Sequence, residues 1–319
     1  MTIYASNGNL ISKTETELEQ AFEISKLGDV KQLLGMEIHR NRDAGTIALM
    51  QVQYITKILR TAEMENCNPV ATPMDINVKL EKLPADITFP EIKERYQSLV
   101  GGLMYAAICT RPDIAYAIQC LSQYSSNPGP EHLTAVKRVY RYLKGTIDLG
   151  IIYSGDETSD ITLYSDADWG KYLDDRRSIS GYVSVLSKGA TTWSSKKQPT
   201  VALSSMEAEY IALAHTTREN LWIRQLFTEL GSPTTARSDS PTKIFVDNRG
   251  TIEYTMNAGF HARSKHIDIR HHFIRDKITS REVSVHHCAS KENIADILTK
   301  PLPRNTHEYL VKKLGMTRV

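Results

Sequence analysis

Residues 161–197, ITLYSDADWGKYLDDRRSISGYVSVLSKGATTWSSKK, decide the fold. They hold three short runs rich in β-branched and aromatic residues, ITLYS, GYVSVL and TTWSS, separated by turn-forming stretches. Three such runs in close succession read as strands of a meander. The next run, SMEAEYIALAHTTRENLWIRQLFTEL (205–230), has helical spacing and is stopped by Gly231 and Pro233. A strand (KIFV), a helix from Asn248, a basic helix (SKHIDIRHHFIRDKI), a strand (EVSVHH) and a short helix (NIADILTK) follow. The order βββ-α-β-α-α-β-α predicts a mixed sheet with helices packed against it.

Upstream, the periodicity is helical. IKERYQSLVGGLMYAAICT, PDIAYAIQCLSQYSS and PEHLTAVKRVYRYLKGT place apolar residues at i, i+3 and i+4, with Pro112 and Pro130 where a first helical turn tolerates proline. The polar, proline-bearing LPADITFPEIKE (83–94) reads as a surface connection, and YITKILRTAEM before it as a helix. Four segments are expected: 1–82, a helical region 83–150, the sheet-bearing region 151–303 and a tail 304–319. Lys137, Arg138, Arg141 and Lys144 on the last upstream helix read as a solvated face.

The net charge of +2 over 319 residues is too small to advertise a polyanion partner, so any basic surface must be local. Cys67, Cys109, Cys120 and Cys288 are scattered without a CxxC pair, which suits a reducing compartment and neither a disulfide framework nor a zinc site. MTIYASNGNL lacks the apolar core of a signal peptide, and no run of about 18 apolar residues is present. A cytoplasmic or nuclear protein without a membrane partner is expected.

Four acids stand at element ends. Asp166 follows the first meander strand, Glu207 lies in the first turn of the long helix, Asp247 ends the strand in FVDN, and Asp296 lies in ADILTK. In a mixed sheet several of these ends can converge on one edge, and carboxylates so clustered would need hard divalent cations such as magnesium or manganese. Each acid also has a local reading. Asp166 and Asp168 suit a turn, Ser204-x-x-Glu207 matches a capping box, Asp247 suits a helix N-cap, and Asp296 suits a solvated charge. Spacing alone leaves both readings open.

The motifs YSDADW, DDRRSISGYV, TWSSKKQPTVALSSMEAEYIAL, VDN, KHIDIRHHFIRDKI and ADILTKPL closely resemble the ribonuclease H domain of copia-type LTR retrotransposon polyproteins, in order over about 150–303. LGDVKQLLGMEIHR, YITKILRTAEMENCNPVATPMD, YQSLVGGLMYAAICTRPDIAYAI and HLTAVKRVYRYLKGTIDLGIIY resemble the end of the reverse transcriptase and its connection. The resemblance implies a ribonuclease H-like mixed sheet with flanking helices, preceded by a mostly helical remnant of the polymerase palm, thumb and connection. It assigns catalysis and a two-metal site holding Mg2+ or Mn2+ to Asp166, Glu207, Asp247 and Asp296. Glu207 is preferred to Glu209 as the first glutamate of E-A-E-Y, and Asp168 is left a structural role.

The implied activity is hydrolysis of RNA in RNA–DNA hybrids. His286 or His287 stands near a histidine position of the cellular enzymes, and His266 and His272 match family positions. The polymerase's paired aspartates fall here on Ser6 and Asn7, so polymerase activity is expected to be absent, in a chain that reads as truncated.

Residues 257–281 hold six Lys/Arg and four His against two Asp, a local basic face suited to phosphate contacts. Arg263, Lys265, Arg270 and Arg275 there, with Arg176, Arg177, Lys196 and Lys197 on two loops, are the expected nucleic-acid contacts. Other retroelement proteins are possible partners. The competing readings are a nucleic-acid-binding remnant that does not cut, and a non-functional product of a degenerate retroelement.

Overall fold

The computed structural model describes residues 2–3, 5, 7–155, 160–171, 174–231, 240–256 and 268–319. Asn7 caps helix α1 (Gly8–Ala21), its side-chain oxygen accepting from the Leu10 N–H at 3.1 Å. Strands β1 (Gln32–Leu33), β2 (Met36–Asn41) and β3 (Thr46–Met50) form an antiparallel ribbon that leads into α2 (Val52–Thr61). Helices α3 (Pro90–Cys109), α4 (Ala115–Ser122) and α5 (Pro130–Gly145) follow, and both α3 and α5 begin on proline. Their apolar stripes bury Tyr96, Leu103, Leu121, Val136 and Leu143 in one core with Ile55 and Leu59 of α2.

The arginines of α5 face protein. Arg138 donates to Thr72 Oγ1 at 3.0 Å and pairs with Asp75, and Arg141 donates to the Asn68 carbonyl at 2.7 Å. They pin segment 67–75 across the helix. The solvated face expected from their spacing is therefore a clamp at these two positions.

Strand β4 (Leu149–Ser154) pairs with β3, and the second sheet begins after it. β5 (Thr162–Ala167), β6 (Ile179–Leu186) and β7 (Gly189–Lys197) form the expected meander, and α6 (Ser205–Glu229) packs across it. β8 (Thr242–Val246), α7 (Arg249–Met256), α8 (Asp268–Thr279) and β9 (Val283–His287) complete this layer. The strand order is β7-β6-β5-β8-β9, with β8 parallel to both β5 and β9. This is the mixed sheet with flanking helices expected from the element order. One face buries Leu163, Ile244 and Val285 against Tyr210 and Leu213 of α6, Tyr254 of α7 and Ile274 of α8. A short 3-10 helix (Ile294–Leu298) lies over the other face.

Two expectations are corrected here. Residues 304–319 are no tail: they form α9 (Arg304–Lys313) and β10 (Met316–Arg318), which pairs with β4 and closes the first sheet in the order β1-β2-β3-β4-β10. Leu310, Val311, Leu314 and Met316 carry helical spacing into that segment and are buried with Ile151, Val183, Ile297 and Leu298. The boundary at 150 also falls inside β4, and the N-terminal half carries an antiparallel sheet beside its helices. Extended strands there were hidden in short runs such as MEIHRN and TIALM.

Gly181 of β6 stands opposite Asp166 of β5. A Cβ at this position would lie 2.7 Å from Thr299 Cγ2, 2.9 Å from Leu298 Cβ and 3.2 Å from the Ala295 carbonyl oxygen. The 3-10 helix can sit so close only because position 181 has no side chain. Gly181→Ala is expected to cost ~1–3 kcal/mol through overpacking. The measurement is urea denaturation. A loss below about 0.5 kcal/mol, the usual range for a surface substitution, would show that the contact yields freely.

Candidate active site

Three of the four expected acids meet. β5 and β8 are parallel neighbours, so Asp166, near the end of β5, and Asp247, just after β8, leave the sheet on one edge. The third acid comes from the 3-10 helix, which is tied to β5 by Asn293. That side chain donates to the Ser165 carbonyl at 3.0 Å and accepts from the Ala295 N–H at 3.2 Å. The result places Asp296 beside the other two: one carboxylate oxygen each from Asp166, Asp247 and Asp296 lies within 4.8 Å of the others.

Glu207, the expected fourth acid, is not in this group. Its Oε2 accepts from the Leu203 N–H at 2.8 Å, while its own N–H donates to Ser204 Oγ at 3.1 Å. Ser204 thus caps the helix as one half of a capping box, while the Glu207 carboxylate reaches one residue past the cap to Leu203, which holds it at the helix start. Positions two apart on a helix point about 200° apart, so Glu209 faces elsewhere. It is 5 % exposed, accepts from the Ala167 N–H, and lies within the electrostatic reach of Asp166 and Asp247. Its Oε2 is buried without a hydrogen-bond partner. Burial first, then those two aspartates, holds the Glu209 carboxyl well above the usual range.

The same pressures act on the neighbours. Asp296 is pushed up to about 7 by burial and by Asp166. Asp168 also rises to about 7, chiefly from burial. Its carboxylate accepts from the Ile179 N–H, and its own N–H donates to the Ile179 carbonyl at 3.1 Å, which fastens β5 to β6. Burial and the acids Asp247, Asp296 and Asp166 push the Cys288 thiol up to about 12, so it stands beside the cluster as a neutral thiol.

Two residues that the sequence reading passed over also contact the acids. The Thr299 hydroxyl donates to Asp166 Oδ2. The Lys300 ammonium lies 2.8 Å from Asp296 Oδ1 and 3.8 Å from Asp166 Oδ2. Burial opposes the charge on Lys300, but the surrounding carboxylates outweigh it and hold the ammonium above its ordinary pKa.

The donor set suits a hard divalent cation. It consists of carboxylate oxygens only, three of them converging, with an orphaned buried oxygen on Glu209 beside them. A cavity of about 540 Å³ lies elsewhere, between α3, α4, β7 and α6, and is walled by Ile108, Trp193 and Trp222. Its single carboxylate, Glu219, offers no such cluster.

The basic residues are dispersed. Arg176, Arg177 and Lys196 are exposed, and Arg270 and Arg275 are half-buried on α8. Lys197 is committed within the protein, 2.7 Å from Asp175 and 2.6 Å from Gln123 Oε1, and so joins β7 to the helical half. Arg263, Lys265 and His266 lie outside the described residues. His272, His286 and His287 are exposed, and His286 shares a 2.9 Å hydrogen bond with Ser284. No helix among the described residues is long and apolar enough to cross a membrane.

Residues 1–76 match the family model for reverse transcriptase (RNA-dependent DNA polymerase). The chain is 39 % identical over 320 residues to the retrovirus-related Pol polyprotein from transposon TNT 1-94 of Nicotiana tabacum, an alignment covering 99 % of this chain and 24 % of that protein. It thus spans about a quarter of that relative's length. It is 32 % identical over 222 residues to the putative transposon Ty5-1 protein of Saccharomyces cerevisiae, covering 69 % of this chain and 70 % of that one. Among solved structures, LC11-RNase H1 in complex with an RNA/DNA hybrid aligns at 16 % identity and a TM-score of 0.33, over 44 % of this chain and 94 % of that chain.

Proposed function

The chain belongs to the copia-type retrotransposon Pol polyprotein family, and on that premise we propose that its second sheet carries a divalent-metal-dependent ribonuclease H that hydrolyses RNA paired with DNA. The observation that carries the reading is the convergence of Asp166, Asp247 and Asp296, from two strand ends and a 3-10 helix, within 4.8 Å. In this reading Asp166, Asp247, Asp296 and Glu209 hold Mg2+ or Mn2+, and Glu207 serves the helix start. A bound pair of divalent ions supplies the Lewis-acid chemistry of phosphoryl displacement.

The chain's own residues do the rest. Thr299 and the β5 backbone hold Asp166 in place, and Asn293 holds the loop of Asp296 against the sheet. The exposed Arg176, Arg177 and Lys196, with Arg270 and Arg275 on α8, contact phosphates and position a duplex without reading its sequence. DNA synthesis is not part of the reading. Asn7 stands where the resemblance puts a metal-binding aspartate, and its amide caps α1.

The test is cleavage of an end-labelled RNA–DNA hybrid by the purified chain. RNA-strand cleavage is expected in Mg2+ or Mn2+ and none in EDTA. Asp247→Asn is expected to abolish cleavage while hybrid affinity at fixed salt stays within about twofold, because the basic residues that set phosphate affinity are untouched. A folded wild type that binds hybrid but leaves it intact in both metals would favour the non-cutting remnant instead.

A further inference from the structure

Lys300 is the only cation among the described residues that forms an ion pair with any of the three converging acids. It enters the cluster from the same short segment that carries Asp296. Its backbone N–H donates to the Asp296 carbonyl at 3.2 Å, and its side chain then turns back to reach Asp296 Oδ1 at 2.8 Å. Thr299, one residue earlier, grips Asp166 Oδ2, the oxygen that lies 3.8 Å from the Lys300 ammonium. Adjacent residues therefore hold the two acids from one side. The ammonium is not a loose surface charge, since its side chain is only 29 % exposed.

We propose that Lys300 is a resident counter-cation of the acid cluster: a positioning residue that holds Asp166 and Asp296 together and that an incoming divalent ion must displace. The proposal rests on the reading of the cluster as a metal site and adds to it a control over metal loading. Three carboxylates crowded beside Glu209 repel one another, and an ammonium between two of them offsets part of that repulsion. The same ammonium repels a divalent ion bound to these carboxylates, and it occupies Asp296 Oδ1, one of the two oxygens that residue can offer the ion. Free metal is thereby held off. A phosphate anion arriving with the metal removes the conflict, because the displaced ammonium gains an anionic partner. Metal loading then follows nucleic-acid binding.

The experiment titrates Mn2+ into the full chain without nucleic acid, following free Mn2+ by electron paramagnetic resonance. Lys300→Gln is expected to bind Mn2+ about tenfold more tightly than wild type, the lower end of what one charge a few ångströms away does to a carboxylate equilibrium. Lys300→Arg, which keeps the charge, is expected to stay near the wild-type value. In EDTA, Lys300→Gln is expected to melt below wild type and to recover when Mn2+ is added. If it does not fold in EDTA, folding on addition of Mn2+ is the same result, and failure in both conditions overturns the proposal. Lys300→Met, which keeps the apolar stem, is the second variant and carries the same expectations.

Equal or weaker Mn2+ binding by folded Lys300→Gln or Lys300→Met overturns the role of Lys300 and leaves the metal site intact. Absence of Mn2+ binding by wild type and variants alike overturns the metal site itself, and the inference falls with it.

Discussion

Asp113→Asn is expected to destabilise the folded chain by about 3–5 kcal/mol, the effect of leaving a buried charge without its partner. Arg111 is fully buried, and Asp113 is 1 % exposed. Arg111 Nε donates to Asp113 Oδ1 at 2.9 Å and Nη2 to Oδ2 at 2.7 Å, a forked pair. The remaining donors reach the Thr146 carbonyl at 2.9 Å and its hydroxyl at 2.7 Å. Tyr142 donates to Asp113 Oδ2 at 2.7 Å, and the His307 ring packs edge-on against Tyr142. The network therefore joins the turn after α3, the end of α5 and the C-terminal helix α9.

Replacing the carboxylate with an amide keeps the shape and removes the charge, so the guanidinium remains buried with only neutral acceptors. Arg111→Met combined with Asp113→Leu is expected to cost less than Asp113→Asn alone, because no unpaired charge remains. Urea denaturation followed by circular dichroism measures both, and a loss under about 1 kcal/mol for Asp113→Asn would mean that water or backbone relaxation supplies what the carboxylate did.

Acid separates two members of this network. Burial opposes the charge on Asp113, but Arg111 outweighs it, and the folded carboxyl sits below its ordinary value of 3.8. Its contribution is complete above that value and is lost as pH falls through the lowered folded one. His307 is lowered from 6.5, mainly by burial, so the unfolded chain takes up that proton first. Stability therefore begins to fall below about pH 6.5 through His307 and falls further below about pH 4 through Asp113.

The meander and the long helix were legible because their signals are local: alternation in ITLYS and GYVSVL, turn residues between them, a capping box, and Gly231 after the helix. Parallel pairing of β5 with β8 follows from the strand–helix–strand order. What spacing alone left open was convergence. Asp166, Asp247 and Asp296 lie far apart in sequence, and only the parallel register and the Asn293 tether bring them together. The role of α9 was missed because a terminal segment was read as a tail despite the spacing of Leu310, Val311 and Leu314. Lys300 was missed because a lysine four residues after an aspartate reads as an ordinary exposed helix pair. The choice between Glu207 and Glu209 was decidable in principle. A glutamate at the third position of a capping box is already engaged, which leaves the one two residues later to face another side.

That choice carries the second large effect: Glu209→Gln is expected to lower hybrid cleavage at least about 100-fold, whereas Glu207→Gln leaves it within about twofold. The metal ions of such a site supply several kcal/mol of charge stabilisation, and each factor of ten in rate is about 1.4 kcal/mol, so losing one of four acidic ligands reaches the larger figure. Gln at 207 can still accept from the Leu203 N–H, as capping boxes use Glu and Gln alike, so neither stability nor cleavage should move far.

The stability readout separates the residues in the opposite sense. The Glu209 carboxyl is buried, has an oxygen without a partner and faces Asp166 and Asp247. Replacing the ionisable carboxyl with a neutral amide relieves that repulsion, so Glu209→Gln is expected to melt no lower than wild type in EDTA while losing cleavage in Mg2+. A residue that only supports the helix would show the reverse, with lost stability and retained activity. Full cleavage by Glu209→Gln together with loss in Glu207→Gln would restore the assignment that motif order first suggested, and would require the capping carboxylate to leave Leu203 when substrate binds.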